Sequence, residues 1–175
     1  MTVENDIYAT ERDKLRELQC IFENAVKNNT IENIRPFTHP DFSFVSFTDK
    51  SFGDFDSFKQ QWDLTRKELV GSGNFSTQLN PAPTLFLDDT AIAYGNAKNT
   101  LLDARGHNFN FTNNWTVIFK RQDGEWKVLR AHNSLDPFAN PMLLSGVKRN
   151  VIKYSALSFM GGLILCSILS YFLLG

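Results

Sequence analysis

The sequence predicts an α+β fold, a curved antiparallel sheet wrapped around N-terminal helices, followed by one C-terminal transmembrane helix. Three observations carry that expectation. Helical periodicity fills the first third of the chain, β-rich runs broken by turn residues fill the next part, and residues 154–174 hold no acidic or basic side chain. At about 1.5 Å rise per residue, that last run crosses a hydrocarbon layer of roughly 30 Å.

The first helix is expected over 4–28, where Leu15, Leu18, Phe22, Ala25 and Val26 fall on one face. A short turn at 30–35 precedes Pro36, and His39-Pro40-Asp41 punctuates the chain before a strand over 42–48. A second helix opens at Gly53-Asp54, with Asp54 or Asp56 as cap and Phe55, Phe58, Trp62 and Leu69 as its buried face. Gly71-Ser72-Gly73 ends it. Strands are then expected over 75–79, 84–87, 92–102, 109–120 and 126–134, joined as an antiparallel meander. The domain plan is a folded unit over 1–141, a basic juxtamembrane linker over 142–153 and the apolar run over 154–174.

Composition limits the function. With 18 Lys and Arg against 19 Asp and Glu, the net charge of −1 leaves no surplus to neutralise a run of phosphates, and no nucleic-acid partner is expected. Three histidines without ligand spacing argue against a metal, and no dinucleotide or phosphate-loop glycine pattern suggests a cofactor. Cys20 falls in the first helix and Cys166 in the apolar run, so no disulfide is expected. Lys148, Arg149 and Lys153 flank that run on its N-terminal side, which predicts a single-pass anchor with the folded domain on the cytoplasmic side of a lipid bilayer. Within it Ser158, Gly162, Cys166 and Ser170 recur every fourth residue, a stripe suited to packing against another membrane helix.

Turn chemistry sets the expected strand register, and register decides which side chains share a face. An Asp123-Gly124 hairpin puts Trp115 opposite His132, and an Arg105-Gly106 hairpin puts Asn96 beside Trp115 and Lys98 beside Asn113. Tyr94, Asn96, Lys98, Asn113, Trp115, Arg130, His132 and Ser134 then share one aromatic face as ligand-binding candidates, for a small hydrophobic molecule or one bearing an anion. His132 is the candidate general base, weighed against a structural histidine bonded within the fold. Asp41, at a strand entrance after Pro40, is a weaker catalytic candidate than a turn residue. The opposite face carries Ala91, Ala93, Gly95, Ala97, Thr112, Asn114, Thr116 and Ala131, small enough to lie against a second copy.

A first helix, a strand entered through Pro40-Asp41-Phe42, a glycine-opened helix with Trp62, and a meander closing on Gly124–Val128 and Ala131–Ser134 together resemble the nuclear transport factor 2-like superfamily. More narrowly the pattern is similar to its SnoaL-like and ketosteroid-isomerase-like branch. The resemblance covers roughly 4–141 and implies a cone-shaped sheet closed by helices, a pocket at the wide end and dimers formed through the outer sheet face. Enzymes of the branch place a tyrosine on the first helix and carboxylates on the entering strand. Here the first helix has no tyrosine between Leu15 and Val26, and the entering strand offers Val45 and Ser46. The expectation is therefore a tail-anchored dimerisation or accessory module of a membrane assembly, with homodimer or membrane-protein partners, in preference to a tethered isomerase, cyclase or hydrolase.

Overall fold

The structure is a computed structural model describing residues 8–136, together with Phe138, Pro141, Leu144, Ile152 and Ser155. The chain divides into two compact units, Met1–Asp136 and Pro137–Gly175. Among the described residues no helix is long and apolar enough to cross a membrane. Apart from Ser155, the run 154–174 with its Ser158, Gly162, Cys166 and Ser170 lies outside them.

Helix α1 spans Ala9–Asn28 and ends in a left-handed Asn29, whose N–H bonds the carbonyls of Ala25 and Val26. A 3₁₀ segment, Ile31–Phe37, leads into β1, Thr38–Val45. The strand begins four residues earlier than the sequence suggests because its first part pairs with the last strand across a bulge. A two-residue strand β2, Ser51–Phe52, folds back on β1. Helix α2, Phe55–Thr65, starts at Asp54, whose carboxylate accepts the Ser57 N–H at 2.7 Å. A single π turn, Arg66–Val70, continues it. That wider turn moves the buried position from Leu69, which is exposed, to Val70.

Five further strands complete the sheet: β3 Asn74–Pro81, β4 Leu85–Leu87, β5 Thr90–Leu102, β6 Asn108–Gln122 and β7 Glu125–Ser134. The order is β2-β1-β7-β6-β5-β3, with β4 also on β5. The expected all-antiparallel meander is corrected at one seam. β1 returns parallel to β7, so the sheet is mixed.

Register departs from expectation by one residue at two places, for separate reasons. Between β5 and β6 the connection is the five-residue stretch 103–107, in which the Asp103 carboxylate accepts the Arg105 and His107 N–H groups at 2.8 and 2.9 Å. Leu102 therefore pairs with Asn108, where an Arg105-Gly106 turn of even length would have given Phe109. Between β6 and β7 the expected two-residue turn forms, with Asp123 and Gly124 both at positive φ. Its register holds as far as Phe119 opposite Val128; there Leu129 bulges out and Ile118 faces Arg130. Beyond that point Thr116, not Trp115, lies opposite His132.

The first slip turns β5 over relative to β6, and the second turns over β7 beyond Leu129. Ala91, Ala93 and Ala97 stand on the inner face with Trp115, Phe119 and Trp126, and Leu15 of α1 packs into the same cluster. The face expected to meet a second copy is split: Ala91, Ala93 and Ala97 pack with Leu15 of α1, while Thr112, Asn114 and Thr116 stand on the outer side. A second cluster joins Phe55 and Phe58 of α2 to Phe42, Ala25, Val26 and Ile31. A carboxylate network fastens the start of α1. Glu11 accepts the Trp126 indole N–H at 2.6 Å and pairs with Arg121 at 2.8 Å, whose guanidinium lies 4.5 Å over the Trp126 ring. Burial pushes the Glu11 pKa up, but the Trp126 N–H, Arg121 and Lys14 outweigh it and hold the group below its ordinary value.

Candidate functional site

The eight ligand-binding candidates do not share a face. Asn113 and Trp115 are buried on the inner face, whereas Tyr94, Asn96 and Lys98 of β5 and Arg130, His132 and Ser134 of β7 alternate to the outer one. The expected chamber with His132 beside Trp115 is corrected by that register. His132 is exposed, between Thr116 of β6 and Val45 of β1. Arg130 donates to the Ser43 hydroxyl at 2.8 Å, and the expected pairing of Lys98 with Asn113 is replaced by Lys98 opposite Thr112. Asp41 is 84% exposed at its side chain, and its N–H donates to His39 Nδ1 at 3.1 Å.

The outer face reads as successive cross-strand rows. Leu85, Ile92, Ile118 and Arg130 form one, followed by Tyr94, Thr116 and His132, then Asn80, Asn96, Asn114 and Ser134, then Gln78, Lys98 and Thr112. The β4 end is apolar and open: Leu85 is 53% exposed, Leu87 50% and Tyr94 51%. The middle is amide and hydroxyl. No described helix packs on this side; both apolar clusters lie on the other. A face that joins exposed aliphatic and tyrosine side chains to uncharged hydrogen-bonding groups has the character of a protein interface.

The inner face has a polar centre built on Asn113, with Asn99 and Asn133 as partners that sequence reasoning did not name. Asn99 Nδ2 donates to Asn113 Oδ1 at 2.7 Å, and Asn113 Nδ2 reaches the Asn114 carbonyl at 3.0 Å and Asn133 Oδ1 at 3.4 Å. This amide ladder spans three strands within an aromatic surface. The Trp115 indole N–H donates to the Asn96 carbonyl at 3.0 Å, which fixes the ring across the sheet. Arg66, on the π turn, was also missed, although its spacing of four after Phe58 and Trp62 was visible in the sequence. Its Nη1 is buried without a hydrogen-bond partner among the described residues, and desolvation lowers its pKa. Among the described residues no cluster of three or more His, Cys, Asp or Glu side chains could hold a metal ion.

Comparison with known proteins places this architecture. A nuclear transport factor 2-like superfamily protein from Salmonella enterica superposes with a TM-score of 0.62 at 14% identity, covering 73% of this chain and 93% of that one. The association domain of Caenorhabditis elegans calcium/calmodulin dependent protein kinase II gives 0.55 at 15% identity, with coverage of 72% and 95%. A hexachlorocyclohexane dehydrochlorinase gives 0.65 at 10% identity, with coverage of 73% and 86%, so the same fold also carries an enzyme. No curated protein sequence matches the chain. Residues 22–137 match the calcium/calmodulin dependent protein kinase II association domain, and the chain belongs to that family.

Proposed function

We propose that the chain is a self-associating module: copies meet through the outer face of the sheet, and the C-terminal run holds the assembly at the cytoplasmic face of a membrane. Membership in the association-domain family supports self-association. The single observation that carries the choice of face is the outer row structure. Leu85, Leu87 and Tyr94 stand half exposed beside an acid-free polar centre, whereas Ala91, Ala93 and Ala97 are buried in a cluster with Leu15. Lys98, Arg130 and His132 all stand off β6, on the strands to either side. A two-fold axis near Asn114 and Thr116 therefore brings neutral groups onto their own copies and keeps like charges apart.

The anchor reading is supported by the uncharged run 154–174 and its flanking Lys148, Arg149 and Lys153. Two measurements on the full chain in mild detergent test the proposal. Light scattering should return a dimer or larger assembly, and alkaline carbonate should leave the protein in the membrane pellet. A monomer at all accessible concentrations would end the association reading. Release into the carbonate supernatant would end the anchor reading independently.

A further inference from the structure

The central rows of the outer face cross β5, β6 and β7, and their two ends differ. Tyr94 and His132 flank Thr116 in one row, and Ile92 and Arg130 flank Ile118 in the next. Two kinds of two-fold axis can lay this face on a copy of itself. An axis across the strands, between Asn114 and Thr116, would set Ile92 on Lys98 and Ile118 on Thr112. An axis along β6 turns each row end for end, so that Ile118 meets Ile118 and Thr116 meets Thr116. The second covers apolar side chains with apolar ones, and burial of apolar surface drives association. Lys120, further along the same line, is already paired with Asp89 at 2.6 Å.

Turning the rows end for end places β5 of one copy over β7 of the other. Tyr94, 51% exposed, then covers the exposed His132 ring of the other copy. A neutral imidazole is readily covered in this way; a protonated one is not, because the rows supply no counter-charge. Arg130 is the next residue on the same side of β7, Thr116 and Val45 flank the ring on β6 and β1, and the rows contain no carboxylate. Beyond Val45 the β1–β2 turn carries Asp49 and Lys50, one charge of each sign. From the other copy Tyr94 comes with Lys98 further along β5. Arg130 escapes the same cost: its guanidinium donates to the Ser43 hydroxyl at 2.8 Å, and its long stem carries the charge toward the β1 side.

We infer that Tyr94 of one copy caps His132 of the other, and that protonation of His132 releases the assembly. This rests on the self-association proposed above. Covering a histidine ring favours its neutral form, so assembly holds above the pH range in which histidines gain a proton and is lost as pH falls through it.

The test is sedimentation of the full chain in mild detergent at about pH 7.5 and about pH 5.5, on either side of the ordinary imidazole value of about 6.5. Wild type should be assembled at the higher pH, with binding between copies at least about tenfold weaker at the lower one. His132→Gln, which cannot gain the proton, should stay assembled at both. His132→Lys should be dissociated at both. Tyr94→Glu/His132→Lys should reassemble at the higher pH, because each new carboxylate faces the ammonium of the other copy, whereas within one copy β6 separates the two positions. Both side chains are exposed, so melting curves should stay near that of the wild type. A wild type equally assembled at both pH values, a His132→Gln that dissociates in acid as wild type does, or a double variant no better assembled than His132→Lys would each overturn the inference. A wild type that is monomeric at the higher pH would end the association reading and this one together, whereas assembly indifferent to pH would end this one alone.

Discussion

The two faces of one sheet differ by more than burial. On the inner face the side chains answer to neighbours: Ala91, Ala93 and Ala97 cluster with Leu15 of α1, Trp115, Phe119 and Trp126, and Gly95 lacks a side chain where the Asn80–Pro81 backbone of β3 passes, an added Cβ there falling 2.2 Å from the Asn80 carbonyl oxygen. On the outer face Tyr94, Asn96, Asn114 and His132 answer to no described element. The lesson is that side-chain size alone does not tell which face meets a partner. A stripe of alanines suits a helix of the same chain as well as a second copy, and only the register decides between them.

Trp115→Ala should break this contrast most severely, costing about 3–5 kcal/mol in urea unfolding through the lost ring and the cavity left behind. Glu11→Gln should cost about 1 kcal/mol by weakening a charge-assisted bond to Trp126. Because the folded-state pKa of Glu11 lies below its ordinary 4.5, its contribution is present above that value and disappears as pH falls through the depressed one. The stability gap between wild type and Glu11→Gln should therefore close in acid, and a gap that stayed constant would remove Glu11 as its source. At the small end, His132→Ala should change stability by no more than about 0.5 kcal/mol. A larger loss would show that the imidazole has a structural partner.

Much of the fold was legible in the sequence because it rests on local rules. The apolar spacing of α1, the Asp54 cap, the Asp123-Gly124 turn and the order of helices before strands all appear as expected. The site was less legible, because it depends on parity. A β-bulge at Leu129 has no glycine or proline to announce it, and the length of the Asp103–His107 turn is set by a side-chain acceptor that mimics a backbone group. Each shifts the register by one residue, and one residue is enough to separate His132 from Trp115. The parallel seam of β1 on β7 escaped for a different reason: it joins residues far apart in the chain, where no turn records the pairing. Arg66 escaped because a cation near a helix end ordinarily reads as solvated, and of its nitrogens it is Nη1 that is buried without a partner.

The account stands most directly on the outer face as the meeting surface of copies. Sedimentation of the full chain is compared with that of Asn114→Arg, which places a cation at the uncharged centre of the face without touching either apolar cluster. The account predicts an assembled wild type, a variant reduced to monomer, and melting curves that otherwise differ little. A variant that stays assembled at the wild-type mass would contradict it and move the association surface elsewhere on the domain.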